Sequence, residues 1–255
     1  MAGRTHRTER CDRRPRLGWR SAPASALALA ALVCLAGAGT AADSPTGSVE
    51  GTITLGDRMS SKQMRFSLYP DARRAGLRSS ARSEPDEMSN VVVYLESVSQ
   101  DAAESRSASG PARMQQRELS FDPHVLVVVK GTTVEFPNQD TVFHNVFSLS
   151  KVASFDLGRY PNGDSRSLQF TKPGVAKVFC HIHSDMSGVI VVLDNPFFAR
   201  PDSSGRFVID GIPPGEYRVA AWHERSRLTV KKINVESGSA AVLDFSIPLE
   251  ESTGG

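Results

Sequence analysis

The stretch Phe179-Cys180-His181-Ile182-His183-Ser184-Asp185-Met186 lies between two apolar runs, Val175–Cys180 and Val189–Leu193. It places a thiol, imidazoles and a thioether in one tight turn between two predicted strands. A Cys and a His separated by two residues can face one ion from a single loop. Met186 can reach over the same ion as the loop turns back into the next strand. The stretch therefore predicts a metal-binding loop in a β-rich protein.

An upstream histidine, His144, can supply a further ligand from a neighbouring strand. Four ligands on one loop would be too flexible to hold a fixed geometry, whereas a distant His144 anchors the loop to its domain. Two imidazole nitrogens and one thiolate in a plane, with a weak axial Met, constitute a type 1 (blue) copper site. We therefore predict one type 1 copper ion per chain, bound by His144, Cys180, His183 and Met186.

Other chemistry stays open at this level. Zinc also binds Cys and His, although zinc sites seldom recruit a Met. Cys180 could act as a nucleophile if a histidine served as its base, but its neighbour His181 is poorly placed for that role and is expected to point away. We expect His124 to be solvated, and His223 to be either structural or near an interdomain surface.

Short apolar runs separated by turn signals recur over most of the chain, which is typical of an all-β fold. The turns include Asn162-Gly163-Asp164 and Lys172-Pro173-Gly174. Residues 57–88 and 100–112 are polar, and we predict that they form flexible loops.

The stretches Phe121-Asp122-Pro123, Val134–Asp140, His144-Asn145 and Phe179–Met186 together resemble the cupredoxins. Within that family the two-residue gap between His183 and Met186 is similar to the short loop of amicyanin. The resemblance covers residues 114–194 and implies a Greek-key β-sandwich that binds copper. It also implies that the Asn145 side chain braces the copper loop.

A second module is indicated by residues 202–222, which resemble the carboxypeptidase regulatory-like domain, a transthyretin-like and carbohydrate-binding-like β-sandwich. Its expected opening strands, Gly47–Leu55 and Val91–Leu95, lie before the copper segment. We therefore predict a discontinuous domain of residues 46–98 plus 196–249 with the cupredoxin nested inside it. The alternative is a linear order in which residues 46–98 add strands to the cupredoxin.

The N-terminus has the pattern of a secretory signal peptide, which we predict over residues 1–42. Seven arginines precede a segment of small, apolar residues, which is too short to span a membrane. This leader carries +5 and the whole chain +2, which leaves −3 for the rest. Cys180 is then the only cysteine remaining, and copper ligation accounts for a lone thiol in an oxidising compartment. Export by the general or the twin-arginine route stays open.

The sequence thus predicts an all-β protein, with a cupredoxin Greek-key sandwich and a second small β-sandwich after the signal peptide. We expect a periplasmic or secreted carrier of single electrons, not an enzyme, with no membrane span in the mature chain and no nucleic-acid binding. The resemblance implies a redox partner such as a c-type cytochrome or a periplasmic oxidoreductase. The alternative function is a copper-binding or carbohydrate-binding accessory protein without electron transfer.

Overall fold

The computed structural model describes residues 45–56, 87–106 and 111–249. The predicted signal peptide and nearly all of the predicted loop 57–88 lie outside these ranges. Within them the chain is almost entirely β, which confirms the predicted fold class. None of the described helices is long and apolar enough to cross a membrane.

The described elements are a 3-10 helix (Glu87–Asn90), α1 (Gln100–Ser105) and the strands β1 (Gly47–Leu55), β2 (Val92–Leu95), β3 (Ala112–Arg113), β4 (Gln115–Arg117), β5 (Ser120–Asp122), β6 (Val125–Val129), β7 (Thr133–Pro137), β8 (His144–Ser150), β9 (Ala153–Tyr160), β10 (Ser165–Gln169), β11 (Gly174–Phe179), β12 (Ser187–Leu193), β13 (Phe198–Ala199), β14 (Arg206–Ile212), β15 (Gly215–Trp222), β16 (Thr229–Val235), β17 (Ala240–Val242) and β18 (Phe245–Ile247).

The central part of the chain forms a sandwich of two sheets. One sheet has the order β10-β7-β3, and the other has the order β6-β12-β11-β8-β9. Buried side chains such as Phe136, Val146, Val178 and Ile190 form one cluster between them, and Cys180 belongs to the same cluster. The metal-binding loop therefore starts from the core of this sandwich.

The two ends of the described chain form a second sandwich. In one sheet β1 pairs antiparallel with β14 and parallel with β17 and β18. The other sheet has the order β13-β2-β15-β16. Strands from before and after residues 114–194 therefore pair with each other.

A third apolar cluster joins the two sandwiches, and we call it the interface cluster. It contains Val92, Val125, Val189, Val191 and Leu193, with Tyr94, Val127, Phe198 and Trp222 packed against it. The strands β2 and β12 are thus buried on both faces, because alternate residues of each belong to different clusters. Strands buried on both faces carry near-continuous apolar runs, as Val189–Leu193 does.

Residues 100–112 are not a loop throughout, contrary to the sequence-based expectation. Gln100–Ser105 form the short helix α1, and Ala112 already lies in β3. Ala is a strong helix former, and Ala102 is buried against the core of the second sandwich. A hydrogen bond of 2.9 Å from Gln100 to Glu104 also supports the helix.

Two local features of the central part of the chain are not evident from the sequence. β9 was not predicted, because this exposed edge strand carries charged residues and Gly158. The second feature is the turn that Glu118 and Leu119 form between β4 and β5, with φ values of 53° and 57°. Non-glycine residues rarely adopt this left-handed conformation.

Candidate metal centre

The metal-binding loop connects β11 to β12. Cys180 follows the last residue of β11, and Met186 immediately precedes the first residue of β12. The loop is closed by two backbone hydrogen bonds, from the Cys180 N–H to the Met186 carbonyl (3.2 Å) and from the Met186 N–H to the His183 carbonyl (3.1 Å). These bonds turn His183 back toward Cys180.

The structure brings His144, Cys180 and His183 together. Their potential ligand atoms all lie within 4.8 Å of one another, and no other such group of at least three His, Cys, Asp or Glu side chains occurs among the described residues. Sγ of Cys180 lies 3.6 Å from Nδ1 of His183 and 3.9 Å from Nδ1 of His144. His144 is fully buried, Cys180 nearly so, and His183 is partly exposed.

The cluster fits a copper ion in both chemistry and size. Two imidazole nitrogens and one thiolate form the donor set of a type 1 copper site. Metal–nitrogen and metal–sulfur bonds of about 2.0–2.3 Å place neighbouring ligands of a trigonal plane roughly 3.6 Å apart. The two Sγ–Nδ1 separations are close to that value.

Met186 is buried, with 1% of its surface exposed, and belongs to the same apolar cluster as Cys180. Its backbone closes the loop on both sides. The Met186 side chain is therefore part of the same water-excluded core as the thiol of Cys180.

The other ring nitrogen of His144 contacts a carboxylate that the sequence analysis did not identify. Nε2 of His144 lies 2.8 Å from Oδ2 of Asp140. A metal-binding histidine commonly donates its second N–H to such a partner, which orients the ring and raises its basicity. Asp140 thus leaves Nδ1 of His144 to face Cys180.

The same carboxylate holds the left-handed turn between β4 and β5. Asp140 accepts hydrogen bonds from the backbone N–H groups of Glu118 (2.7 Å) and Leu119 (2.9 Å). Burial raises the pKa of Asp140, but these two amides and the ring of His144 outweigh burial, so its pKa lies below the ordinary value. Asp140 therefore remains ionised while it orients His144.

Asn145 lies where the cupredoxin resemblance predicts a bracing residue. Its Oδ1 accepts the backbone N–H of His181 at 3.3 Å, directly after Cys180. Its Nδ2 donates to Asp156 (2.6 Å) and to the carbonyl of Gly158 (3.1 Å). Asn145 thus ties the start of the metal-binding loop to β9.

His181 lies outside the three-residue cluster, as expected. Its ring stacks on Phe147 with centroids 3.7 Å apart and planes 3° from parallel. Its Nε2 is 3.6 Å from Oδ2 of half-exposed Asp156. His181 therefore packs on the outer surface of β8.

Of the other two described histidines, His124 differs from the expectation and His223 is consistent with a structural role. His124 is not simply solvated, because its ring contacts the carbonyl of Ser187 and the carboxylate of Glu224. His223 is fully buried, and burial lowers its pKa. Its Nε2 lies 3.1 Å from Oε2 of Glu87 without the alignment of a hydrogen bond.

Comparison with known proteins agrees with this geometry. Residues 108–193 match the sequence profile of the copper binding proteins of the plastocyanin/azurin family. The match contains the whole cluster and covers about a third of the chain. No curated protein sequence is significantly similar to the chain.

Among solved structures, a purple cupredoxin from Nitrosopumilus maritimus is 26% identical (TM-score 0.30), and the alignment covers 32% of this chain and 98% of that one. An oxidised amicyanin mutant is 26% identical (TM-score 0.31), with 35% of this chain and 89% of that one covered. A copper-containing nitrite reductase from Thermus scotoductus SA-01 is 28% identical (TM-score 0.33), with 39% of this chain but only 28% of that one covered.

The family match and the His-Cys-His cluster together support one copper ion in a cupredoxin-like domain. Sequence reasoning found the cluster because three of the four predicted ligands share one short loop. It missed the role of Asp140, because a carboxylate four residues before a strand-end histidine has no distinctive pattern. It also missed Glu224, which lies 100 residues from its partner His124.

Proposed function

We propose that this protein is an exported type 1 copper protein that carries single electrons between redox partners. His144, Cys180, His183 and Met186 would hold the copper ion. The observation that supports this assignment most directly is the packing of two Nδ1 atoms around one buried Sγ. When bound, the copper supplies the one-electron redox couple.

The burial of the cluster favours electron transfer over catalysis. The side chains of His144 and Cys180 are buried away from water, whereas the side chain of His183 is partly exposed. The hydrogen bonds of Asp140 and Asn145 hold the loop in one geometry. A centre that neither oxidation state reshapes needs little rearrangement when an electron moves. The similarity to nitrite reductase covers a small part of that enzyme, so we do not propose its activity here.

The surroundings of His183 and His144 suit a protein partner. Val142, Phe143 and Ile182 precede the two histidines in the chain, and each exposes 40% or more of its surface. Exposed apolar side chains at one site favour a protein contact. We propose that the partner is a redox protein such as a c-type cytochrome or a periplasmic oxidoreductase.

The cellular location and the nature of the second sandwich belong to the same proposal. The leader over residues 1–42 suggests a periplasmic or secreted protein. Residues 46–98 plus 196–249 would be a carboxypeptidase regulatory-like domain, with residues 114–194 as the nested cupredoxin. Trp222 packs against the interface cluster, so it is not available as a stacking platform for a sugar.

The test is to load the purified protein, without its leader, with Cu(II) and record its visible spectrum and reduction potential. An intense thiolate-to-copper band, together with rapid oxidation of the Cu(I) form by a c-type cytochrome, is the expected result. A holo-protein without that band would overturn the type 1 assignment and favour a metal-binding accessory role. A coloured protein that exchanges no electrons with any redox protein would overturn the carrier role.

A further inference from the structure

The second sandwich covers one face of the cupredoxin-like domain. Val125 of β6 and Val189 and Val191 of β12 face away from the core of the cupredoxin-like sandwich, and each is at most 3% exposed. They pack in the interface cluster against residues of β2, β13 and β15. Such an apolar interface holds two domains in one arrangement, since separating them would expose it to water.

His124 crosses the edge of this interface with both ring nitrogens engaged. Nδ1 lies 3.2 Å from the carbonyl oxygen of Ser187 in the copper domain, and Nε2 lies 2.8 Å from Oε1 of Glu224 in the second sandwich. Both partners are acceptors, so only the doubly protonated imidazolium can satisfy both contacts. The hydrogen bond to Glu224 correspondingly raises the pKa of His124 despite its partial burial.

The carboxylate of Glu224 is itself held in the ionised form. Its hydrogen bond to His124 lowers its pKa more than burial raises it, and the nearby charges of His223 and Lys177 act in the same direction. The side chain of Glu224 is 23% exposed. A partly buried, charge-assisted hydrogen bond of this kind is stronger than a neutral one.

On the copper side, His124 holds the strand that begins directly after Met186. Its ring contacts the carbonyl of Ser187, and its own carbonyl accepts the N–H of Val189 at 2.8 Å. Gly188 lies between these contacts, where a Cβ atom would approach Cβ of Phe121 to 3.0 Å and the carbonyl oxygen of His124 to 3.3 Å. The backbone at position 188 can therefore pack this closely against Phe121 and His124 only because the residue is glycine. This packing leaves the backbone after Met186 little freedom.

We propose that the second sandwich positions the copper-binding loop through the series Glu224–His124–Ser187, so that Glu224 acts as a positioning residue for the Met186 side of the metal site. This inference rests on the proposed copper centre. It gives the second sandwich a role in setting the metal geometry, because a residue outside the cupredoxin-like segment would restrain the loop that carries the ligands.

The test compares Glu224→Ala with Glu224→Gln and with the control Asp194→Ala. Glutamine retains an oxygen that can accept the Nε2–H of His124, whereas alanine removes the contact. Asp194→Ala removes a carboxylate of similar reach, paired with Lys130 at 2.9 Å, from the end of β12 remote from the loop. Copper dissociation constants, the visible spectrum of the Cu(II) form and the reduction potential are measured for each protein.

We expect Glu224→Ala to bind copper about tenfold more weakly, at the low end of the effect of losing an outer partner of a metal site, and to shift both the absorption maximum and the potential. Glu224→Gln should lie near the wild type, and Asp194→Ala should match it. A Glu224→Ala protein with wild-type affinity, spectrum and potential would overturn the proposal. So would a lower melting temperature without any change in these three properties.

A measurement on the metal-free protein separates this inference from the copper assignment. In Glu224→Ala, the backbone amides of Met186 and Val189 should exchange with deuterium faster than in Asp194→Ala, because the strand loses its restraint. Unchanged exchange would overturn the positioning role whatever metal binds. Faster exchange in a protein that lacks the copper band would support the restraint while the proposed function fails.

Discussion

Oδ2 of Asp140 lies 2.8 Å from Nε2 of His144, on the opposite side of the ring from Cys180. The same carboxylate accepts the amides of Glu118 and Leu119. One side chain therefore stabilises an unusual backbone turn and also orients a buried ligand. The orientation of His144 therefore depends on a carboxylate that also holds the turn between β4 and β5.

Replacing Asp140 should weaken copper binding and change the potential. In Asp140→Asn the amide can still accept one backbone N–H, but it no longer offers a carboxylate to His144. We expect copper affinity to fall roughly 10- to 100-fold. The potential should rise, because a less basic imidazole stabilises Cu(II) less. Competitive chelator titration and redox titration measure both, with exposed Asp164→Asn as the control. Equal affinities in the two variants would contradict the role of Asp140.

Replacing Cys180 should abolish the coloured site and leave the fold intact. Cys180→Ser removes the thiolate but conserves volume, and the adjacent nitrogens of His144 and His183 can bond with the hydroxyl group. We expect the thiolate-to-copper absorption to vanish while the far-ultraviolet circular dichroism stays unchanged. Retained absorption would mean that Cys180 is not a copper ligand.

Substitutions of Met186 should tune the potential without unfolding the protein. Met186→Leu conserves volume and apolarity at a site that is 1% exposed, so stability should change by less than about 1.5 kcal/mol. The potential should rise because losing a donor disfavours Cu(II) more than Cu(I). Met186→Gln should lower it, because an amide oxygen is a harder donor. Equal potentials in all three proteins would show that Met186 does not contact the metal.

Truncating the interface cluster should destabilise both sandwiches together. Leu193→Ala removes a side chain that is 5% exposed, and we expect a loss of roughly 2–3 kcal/mol in the free energy of unfolding. Leu149→Ala, at a site that is 80% exposed, should change it by less than about 0.5 kcal/mol. In denaturant titrations, the unfolding transition followed by the fluorescence of Trp222 and the transition followed by the copper absorption should have the same midpoint. Separate midpoints would contradict a shared core.

The ion pair of His124 and Glu224 should make stability depend on pH. The raised pKa of His124 gives stabilisation that is complete below its ordinary value of 6.5 and is lost as the pH rises through the raised value. The lowered pKa of Glu224 gives stabilisation that is present above its ordinary value of 4.5 and is lost as the pH falls through the lowered value. The pair should therefore contribute most to the free energy of unfolding between pH 4.5 and pH 6.5, the two ordinary pKa values.

Thermal unfolding of the wild type and of Glu224→Gln across this range tests the expectation. The difference in melting temperature should be largest between the two ordinary pKa values and should shrink on either side. The charge of Glu224 also raises the pKa of His223, whose lowered value gives the opposite pH dependence, so the difference between the two proteins includes that contribution as well. If the difference in melting temperature did not vary with pH, the charges of His124 and Glu224 would not contribute to stability.

Several structural features were predictable because their causes are local. Strand β1 has alternating apolar residues, and its bounds are those predicted. β9 was missed although it forms a hairpin with β8, because this exposed edge strand carries charged residues and Gly158 in place of a regular apolar pattern. The helix α1 was missed because Ala102 forms a core contact that its polar neighbours conceal.

The sequence by itself determined the composition of the metal-binding loop, because Cys180, His183 and Met186 lie within one turn and short spacing restricts their positions whatever the rest of the fold. It also determined the apolar run Val189–Leu193. Only the tertiary structure decided that this run is buried between two sandwiches, and that Glu224 reaches His124. The physical reason is that these contacts follow from sheet pairing and domain packing, in which residues far apart in the chain meet through backbone register and the burial of apolar surface.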